Sequence, residues 1–537
     1  MKKTIITTSM LALFAGAVFA ESYVFDSSNP NGFIPLESGS LEMTINDGAK
    51  LATIHTTSVT GVVDNVSIVL NGGSTGIIWG AGKGVVSGDV NMTLNHSGST
   101  GAVMSAGGTY GSVVKGNTYL TIEQGSYTSH VSGGGYGSIV EGNSTVTING
   151  GSVGTLLGGD YNGGVVKGKT TININGGSVG TIYAGSLFSA PAENPYTTTP
   201  NGAIELNITG GTINHIRGGN NCSYDAPADV IANWKVKGDI NINISGNAVI
   251  LGDSSGEAII AGGARNNVEG NVTVSVSENA TINGILAVGS SRGGDGGGVM
   301  GNTTLNVSGG TINGDIYAGA LKHAVVEGSS NVNISGGTIT SNIYLGGGSN
   351  SFVKSGGTIT ISGNAVITGA ISGNGASGGV VEGDKNLVVK DYEVVNASLN
   401  ATDFNTLSVE NSSVTLVNAL VLDSIAIDAD SSVALAEGSS IGSYIFIIDN
   451  ASQGDSFDLA TFDNVLSIGE EGVVLSAMEF DASDLKVRDA NGNLYAVNFD
   501  QANGYTVGAN IAVPEPAEWA MIFGVLALGL AMYRRRK

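Results

Sequence analysis

A few groups of residues in the 537-residue chain carry side chains able to do chemistry. Tyr196, Tyr224 and Trp234 fall in two stretches, Leu187 to Pro200 and Asn220 to Trp234, that interrupt an otherwise regular repeat. Aromatic rings on inserted loops can stack on a sugar face, so these three are candidate glycan contacts. Glu141, Glu269, Glu327 and Glu382 each follow a Val at an equivalent place, and Lys115, Lys167 and Lys237 occupy that place in other copies. Carboxylates stacked on one ridge could hold a cation, but the interleaved lysines make charge compensation the simpler account.

Asp489-x-Asn491-x-Asn493, with Asp500 at the twelfth position, has the acidic spacing of an EF-hand loop. Leu494 stands where that loop needs Gly, and strand-like segments flank it, so the stretch reads as a hairpin turn. Glycosidases need two placed carboxylates about 5–10 Å apart, and no motif here sets such a pair. The five histidines (His55, His96, His130, His215, His323) show no shared repeat position. Cys222 is the one cysteine, so no internal disulfide forms and no zinc set of about four ligands is suggested. No phosphate loop occurs. The sequence assigns no catalytic residue, no metal and no cofactor.

The composition says what must position these groups. Glycine contributes 85 residues, proline 8, and charged residues only 12%. Collagen is excluded, because glycine does not recur at every third place. Hydrophobic residues at 41% exclude a disordered chain. Strong helix formers are scarce, so the fold is all-β. The net charge of −23 leaves no basic face for nucleic acid. Residues 391–510 hold 19 Asp and Glu against 2 Lys and Arg, a balance of −17, with only 8 of the glycines. A boundary near residue 390 follows.

Between residues 61 and 390 the chain repeats. Val140-Glu-Gly-Asn-Ser-Thr-Val-Thr-Ile-Asn-Gly-Gly-Ser-Val153 is echoed by Val166-Lys-Gly-Lys-Thr-Thr-Ile-Asn-Ile-Asn-Gly-Gly-Ser-Val179. The marker Val recurs at 86, 114, 140, 166, 236, 268, 299, 326, 353 and 381, with one more unit concealed near Leu206–Ile213 and an earlier one near Ile68–Gly73. Each unit reads as three short strands, the middle one alternating strictly as in Thr171-Ile172-Asn173-Ile174-Asn175. One unit cannot close a core, but stacked units can. Val146, Ile172, Leu206, Ile242, Val274, Leu305, Val332 and Ile359 should form one inward column, with Asn and Thr rows outside. The expectation is a parallel β-helix, or β-solenoid, of about a dozen coils, right-handed as parallel crossovers generally are. At ~4.8 Å per coil it would be a rod on the order of 55–60 Å long.

Residues 21–60 read as an N-terminal cap. Residues 391–512 form an acidic β-rich C-terminal domain that begins as shorter coils. Its later segments (Tyr444–Ile448, Val473–Ala477, Leu485–Val487, Leu494–Asn498) look antiparallel, and together they would cap the exposed coil edge.

The two ends read as addresses. Residues 1–20 have the pattern of a signal peptide for the Sec export machinery: Lys2 and Lys3, an apolar run Met10 to Phe19, then Val18 and Ala20 before a cut at Glu21. At the other end, residues 513–537, Val513-Pro514-Glu515-Pro516 precedes an apolar stretch, Trp519 to Tyr533, and then Arg534-Arg535-Arg536-Lys537. The stretch suits a short membrane helix whose basic stop stays cytoplasmic.

This three-part tail resembles the PEP-CTERM sorting signal of Gram-negative bacteria. The resemblance implies processing by an exosortase-type membrane enzyme and a destination at the cell surface, outer membrane or extracellular matrix after transient anchoring in the inner membrane. The repeats resemble the β-helical passengers of bacterial adhesins and autotransporters, although no run of membrane strands follows them. Taken together, the expected function is an exported structural or adhesion protein that is not an enzyme, with an extracellular polysaccharide or host glycan as partner. The alternatives are a polysaccharide lyase or hydrolase, or a glycan-binding module.

Overall fold

The computed structural model describes residues 20–28, 35–100, 103–188, 201–222, 235–291, 298–394, 397–502 and 504–511. Among them the regular structure is strand, with three short 3-10 turns and no α-helix. The chain divides into two compact units. One comprises residues 1–387, 392–394 and 399–404, and the other residues 388–391, 395–398 and 405–537.

In the first unit a repeat contributes three strands, as in Val165–Val166, Thr170–Ile174 and Ser178–Tyr183. The second and third pair in parallel with their equivalents in both neighbouring repeats, and the first with its equivalent in the preceding one. Val146 lies opposite Ile172, Ile172 opposite Leu206, Leu206 opposite Ile242, and so on through Val274, Leu305 and Val332 to Ile359. All eight side chains of this column are 0% exposed. Strict alternation is the cause. With period 2, one face of the middle strands is mainly Ile, Val or Leu, often entered by a buried Ser or Thr such as Ser144 or Thr170, and the other is mainly Asn, Thr or Ser. The same pairing takes in Ala20–Phe25, Leu36–Ile45 and Thr57–Leu70. Parallel pairing of equivalent strands over this length is consistent with a β-solenoid.

The marker valines form columns too, 86–114–140–166 and 236–268–299–326–353–381. The gap between the two runs is filled by Asn201, bridged to Val236, whose side-chain Oδ1 accepts the Val166 N–H at 3.0 Å.

Polar rows run along the outside. At the corner before the middle strand, the side-chain oxygens of Asn65, Asp89, Asn117 and Asn143 each accept the backbone N–H of the next rung. The acceptors serve Asp89, Asn117, Asn143 and Lys169 at 2.9, 2.7, 2.9 and 2.8 Å. Asp239, Asn271 and Asn302 repeat the device. These bonds satisfy corner donors that strand pairing leaves over. Asn143→Ala should therefore cost about 1 kcal/mol and speed exchange of the Lys169 amide about fivefold. Asn143→Asp keeps the acceptor, as Asp89 does naturally, and should leave that exchange slow. Hydrogen exchange measured at Lys169 decides between them.

The second unit starts in the same manner. Thr406–Glu410, Ser424–Ile427, Tyr444–Ile447 and Leu485–Arg488 pair successively in parallel. Antiparallel pairing joins Leu466–Ile468 to Glu471–Gly472, Leu485–Arg488 to Leu494–Asp500, and Gly504–Asn510 to both Leu494–Asp500 and Ser456–Phe457. The antiparallel expectation is thus corrected for Tyr444–Ile448, which is parallel to both neighbours. Alternation shows which face a side chain takes, not which way its strand runs. Val473–Ala477 is not a strand either. Leu475–Ala477 is a 3-10 turn, drawn in by Asp463, whose carboxylate accepts the Ser476 N–H at 2.8 Å and its hydroxyl at 2.5 Å.

No helix among the described residues is long and apolar enough to cross a membrane. The expected membrane segment, Trp519 to Tyr533, lies outside them.

Candidate functional site

Two clusters in the first unit bring together side chains with chemical capacity. The first is an aromatic corner. The strands Gly135–Tyr136 and Asp160–Tyr161 pair in register, which brings Tyr136 beside Tyr161 with ring centroids 5.2 Å apart and planes tilted by 36°. Tyr110 meets Tyr136 edge-on at 5.1 Å, Trp79 meets it at 5.9 Å, and His130 lies 4.6 Å from Tyr161. Trp79, His130, Tyr136 and Tyr161 line a small, partly open pocket of about 40 Å³. Trp79 is 7% exposed and Tyr110 46%. Asn162 binds the hydroxyls from below. Its amide donates to Tyr110 Oη and, at 3.4 Å, to Tyr136 Oη. Burial pushes the Tyr110 phenol up to about 12 and holds His130 below the ordinary histidine value.

Beneath the rings lies Asp160, fully buried. Its Oδ1 accepts the N–H groups of Gly137 and Gly164 at 2.7 and 2.9 Å, and its Oδ2 accepts the Ser138 N–H at 3.1 Å and hydroxyl at 2.8 Å. Gly137 has φ +66°, and a Cβ there would come within 2.2 Å of the Tyr110 ring, so only glycine lets the ring close over this corner. Burial pushes the Asp160 carboxyl up to about 7, against the pull of its four hydrogen bonds. A buried polar string continues across the next repeats: Asp160 N–H to Ser186 Oγ, Ser186 N–H to Asn220 Oδ1, and Asn201 Nδ2 to Asn220 Oδ1, at 3.0, 3.0 and 3.1 Å.

The second cluster is charged. His215, Asp253 and Glu257 place one donor atom each within 4.8 Å of one another. The donor set argues against a metal. His215 Nδ1 is 2.7 Å from the Glu257 carbonyl oxygen, and a carbonyl only accepts, so Nδ1 carries the proton and is spent. Glu257, 2% exposed, already lies between Lys322 at 3.3 Å and Arg217 at 3.4 Å. Asp253 accepts the Ser255 and Glu257 N–H groups at 2.8 and 3.1 Å. Glu257 thus faces both cations while Asp253 lies 3.8 Å from His215 Nδ1, and burial, with Arg217 nearby, holds His215 below its ordinary pKa.

The residues singled out in the sequence fall differently. Tyr196, Tyr224, Trp234, Val513, Pro514, Glu515, Pro516, Arg534, Arg535, Arg536 and Lys537 all lie outside the described residues. The acidic ridge carries ion pairs, Lys167 with Glu141 at 3.2 Å, Lys235 with Glu269 at 3.1 Å and Lys354 with Glu382 at 2.7 Å. Asp489 spends its carboxylate on Asn491 N–H, on both donors of Asn493 and on the Tyr495 hydroxyl, closing the hairpin between Arg488 and Leu494. Cys222 is buried, in the strand Asn221–Cys222 rather than in the inserted loop.

One expectation is overturned. His130 and His215 do share a repeat position, since His130 lies opposite Thr155, Thr155 opposite Thr181, and Thr181 opposite His215. A register shift between Tyr127 and His130 displaces His130 from the repeat count. Both clusters were missed in the sequence. One available signal was the residue after a glycine at the end of the third strand, where Asp160, Ser186 and Asn220 recur.

No family model matches the chain, and neither a curated protein nor a solved structure matches it.

Proposed function

We propose that the chain is an exported bacterial cell-surface or extracellular-matrix protein, a scaffold with an adhesive face. In this reading it leaves through the Sec machinery, is held briefly in the inner membrane by Trp519 to Tyr533, and is processed at Val513–Pro516 by an exosortase-type enzyme. The repeats build about a dozen right-handed coils. The observation that carries the reading is the in-register stacking of equivalent strands. It supports an elongating repeat whose outer rows are neutral Asn and Thr rather than a single enclosed catalytic cleft.

Deleting residues 513–537 is expected to move the protein from the cell surface into the medium. A full-length chain recovered from the cytoplasm would overturn the reading.

A second reading, a polysaccharide lyase or hydrolase, is favoured by the convergence of His215, Arg217, Asp253, Glu257 and Lys322. Incubating the protein with acidic and neutral polysaccharides separates the two. Release of defined oligosaccharides would establish the enzyme and displace the scaffold.

A further inference from the structure

We propose that the aromatic corner formed by Trp79, Tyr136 and Tyr161, with Tyr110 and His130 at its edge, is a binding site for a neutral polysaccharide. This names the partner of the adhesive face and rests on that reading.

Three of the rings stand outside the core. Trp79 is buried, but Tyr110 is exposed and Tyr136 and Tyr161 are half-buried, and aromatic residues make up only 6% of the chain. Four of them nevertheless meet His130 on adjacent repeats at one place on the surface. Keeping Tyr110 nearly half exposed, with Tyr136 and Tyr161 partly open beside it, costs solvation unless something covers the rings.

What covers them must match two features. The ring faces and the pocket floor are apolar, and no Lys, Arg, Asp or Glu side chain lines the pocket. The one carboxylate near it, Asp160, is enclosed underneath and turned to Gly137, Ser138 and Gly164. A charged ligand therefore finds no counter-charge. The edge, in contrast, is hydroxylated. Tyr136 Oη accepts from Asn162 and shares a hydrogen bond with the Tyr110 hydroxyl, which leaves one O–H of the pair to donate. Burial keeps the neighbouring Tyr110 phenol protonated across the physiological range. An apolar face bordered by a hydroxyl donor is the complement of a pyranose ring, which presents C–H groups on its face and oxygens around its rim.

The geometry is also fixed in advance. Asn162, with φ +66°, and Gly137 set the turn, and Asn162 ties Tyr110 to Tyr136 across two repeats. Little ordering is left for binding to impose.

The test is affinity electrophoresis of the purified full-length chain in gels containing amylose, xyloglucan, mixed-linkage β-glucan or galactomannan, with alginate and polygalacturonate as acidic counterparts. Retardation by at least one neutral polymer is expected. Tyr136→Ala and Tyr161→Ala should each weaken it about tenfold, whereas Tyr136→Phe keeps the ring and should retain most of the binding. Tyr317→Ala removes a ring from the stacked pair with Tyr344, 5.2 Å apart and outside the pocket, and should leave binding unchanged. Circular dichroism of each variant separates lost binding from lost fold. The proposal is overturned if only acidic polymers retard the chain, if none does, or if Tyr317→Ala weakens binding as much as Tyr136→Ala. The assay uses isolated protein, so it can fail while surface delivery holds, and the reverse.

Discussion

Replacing Asp160 by Asn is expected to destabilise the first unit by about 2 kcal/mol at pH 5, and by less at pH 8. The neutral acid can satisfy every group around it. Its hydroxyl donates to Ser138 Oγ, which passes its own proton to the Gly134 carbonyl at 3.1 Å, while Gly137, Gly164 and Ser138 N–H donate to the remaining lone pairs. An asparagine cannot do the same. Whichever way the amide is turned, its NH₂ meets a backbone N–H, and one buried donor is stranded.

The pH dependence follows from burial, which raises the folded carboxyl from 3.8 to about 7. Between those values the unfolded chain has released a proton that the folded chain still holds. The contribution of Asp160 is therefore fully present below about pH 4 and is lost as pH rises through about 7. The remaining negative charges also make stability vary with pH, so the informative quantity is the difference between the two proteins. Thermal unfolding of both should show that difference shrinking from pH 5 to pH 8. A difference that grows with pH would mean that the four donors outweigh burial and that the carboxylate is the preferred form.

Asp160 also marks where the sequence stopped being readable. The column from Val146 to Ile359 was legible residue by residue, because alternation marks each member and most steps are 26 to 32 residues. The repeat near Leu206, 34 residues after Ile172 and 36 before Ile242, was legible from its alternation and its Gly-Gly pair alone. Its first strand was not, since Asn201 replaces the marker Val and does by side-chain hydrogen bonding what the Val does by strand pairing. Asp160, Ser186 and Asn220 look like solvated corner residues in the sequence. Only stacking the repeats shows that each is enclosed and bonded to the next. The aromatic corner had a signal that was passed over. Gly-Gly-x-Tyr recurs at Tyr110, Tyr136 and Tyr161, 26 and 25 residues apart, and in-register pairing brings Tyr136 beside Tyr161.

Glu257→Ala should be the costliest single change in the charged cluster, about 3–5 kcal/mol, because it breaks a buried ion pair from one side. The two partners are not equivalent. The Lys322 side chain is 42% exposed and can turn to water, but that of Arg217 is 12% exposed and cannot. Arg217 Nη1 already has no partner, so losing Glu257 leaves a guanidinium with neither counter-charge nor solvent. The asymmetry gives a second expectation. Arg217→Met in the Glu257→Ala background should restore much of the loss, because an apolar side chain of similar length fills the space without a charge. Denaturant unfolding of the wild type, both single variants and the double variant measures the coupling. A double variant as unstable as the sum of the singles would show that the two residues act apart. In that case Glu257 would have to be held in place by something other than its cations, and the enzymatic reading of this cluster would gain the ground that the ion pair now occupies.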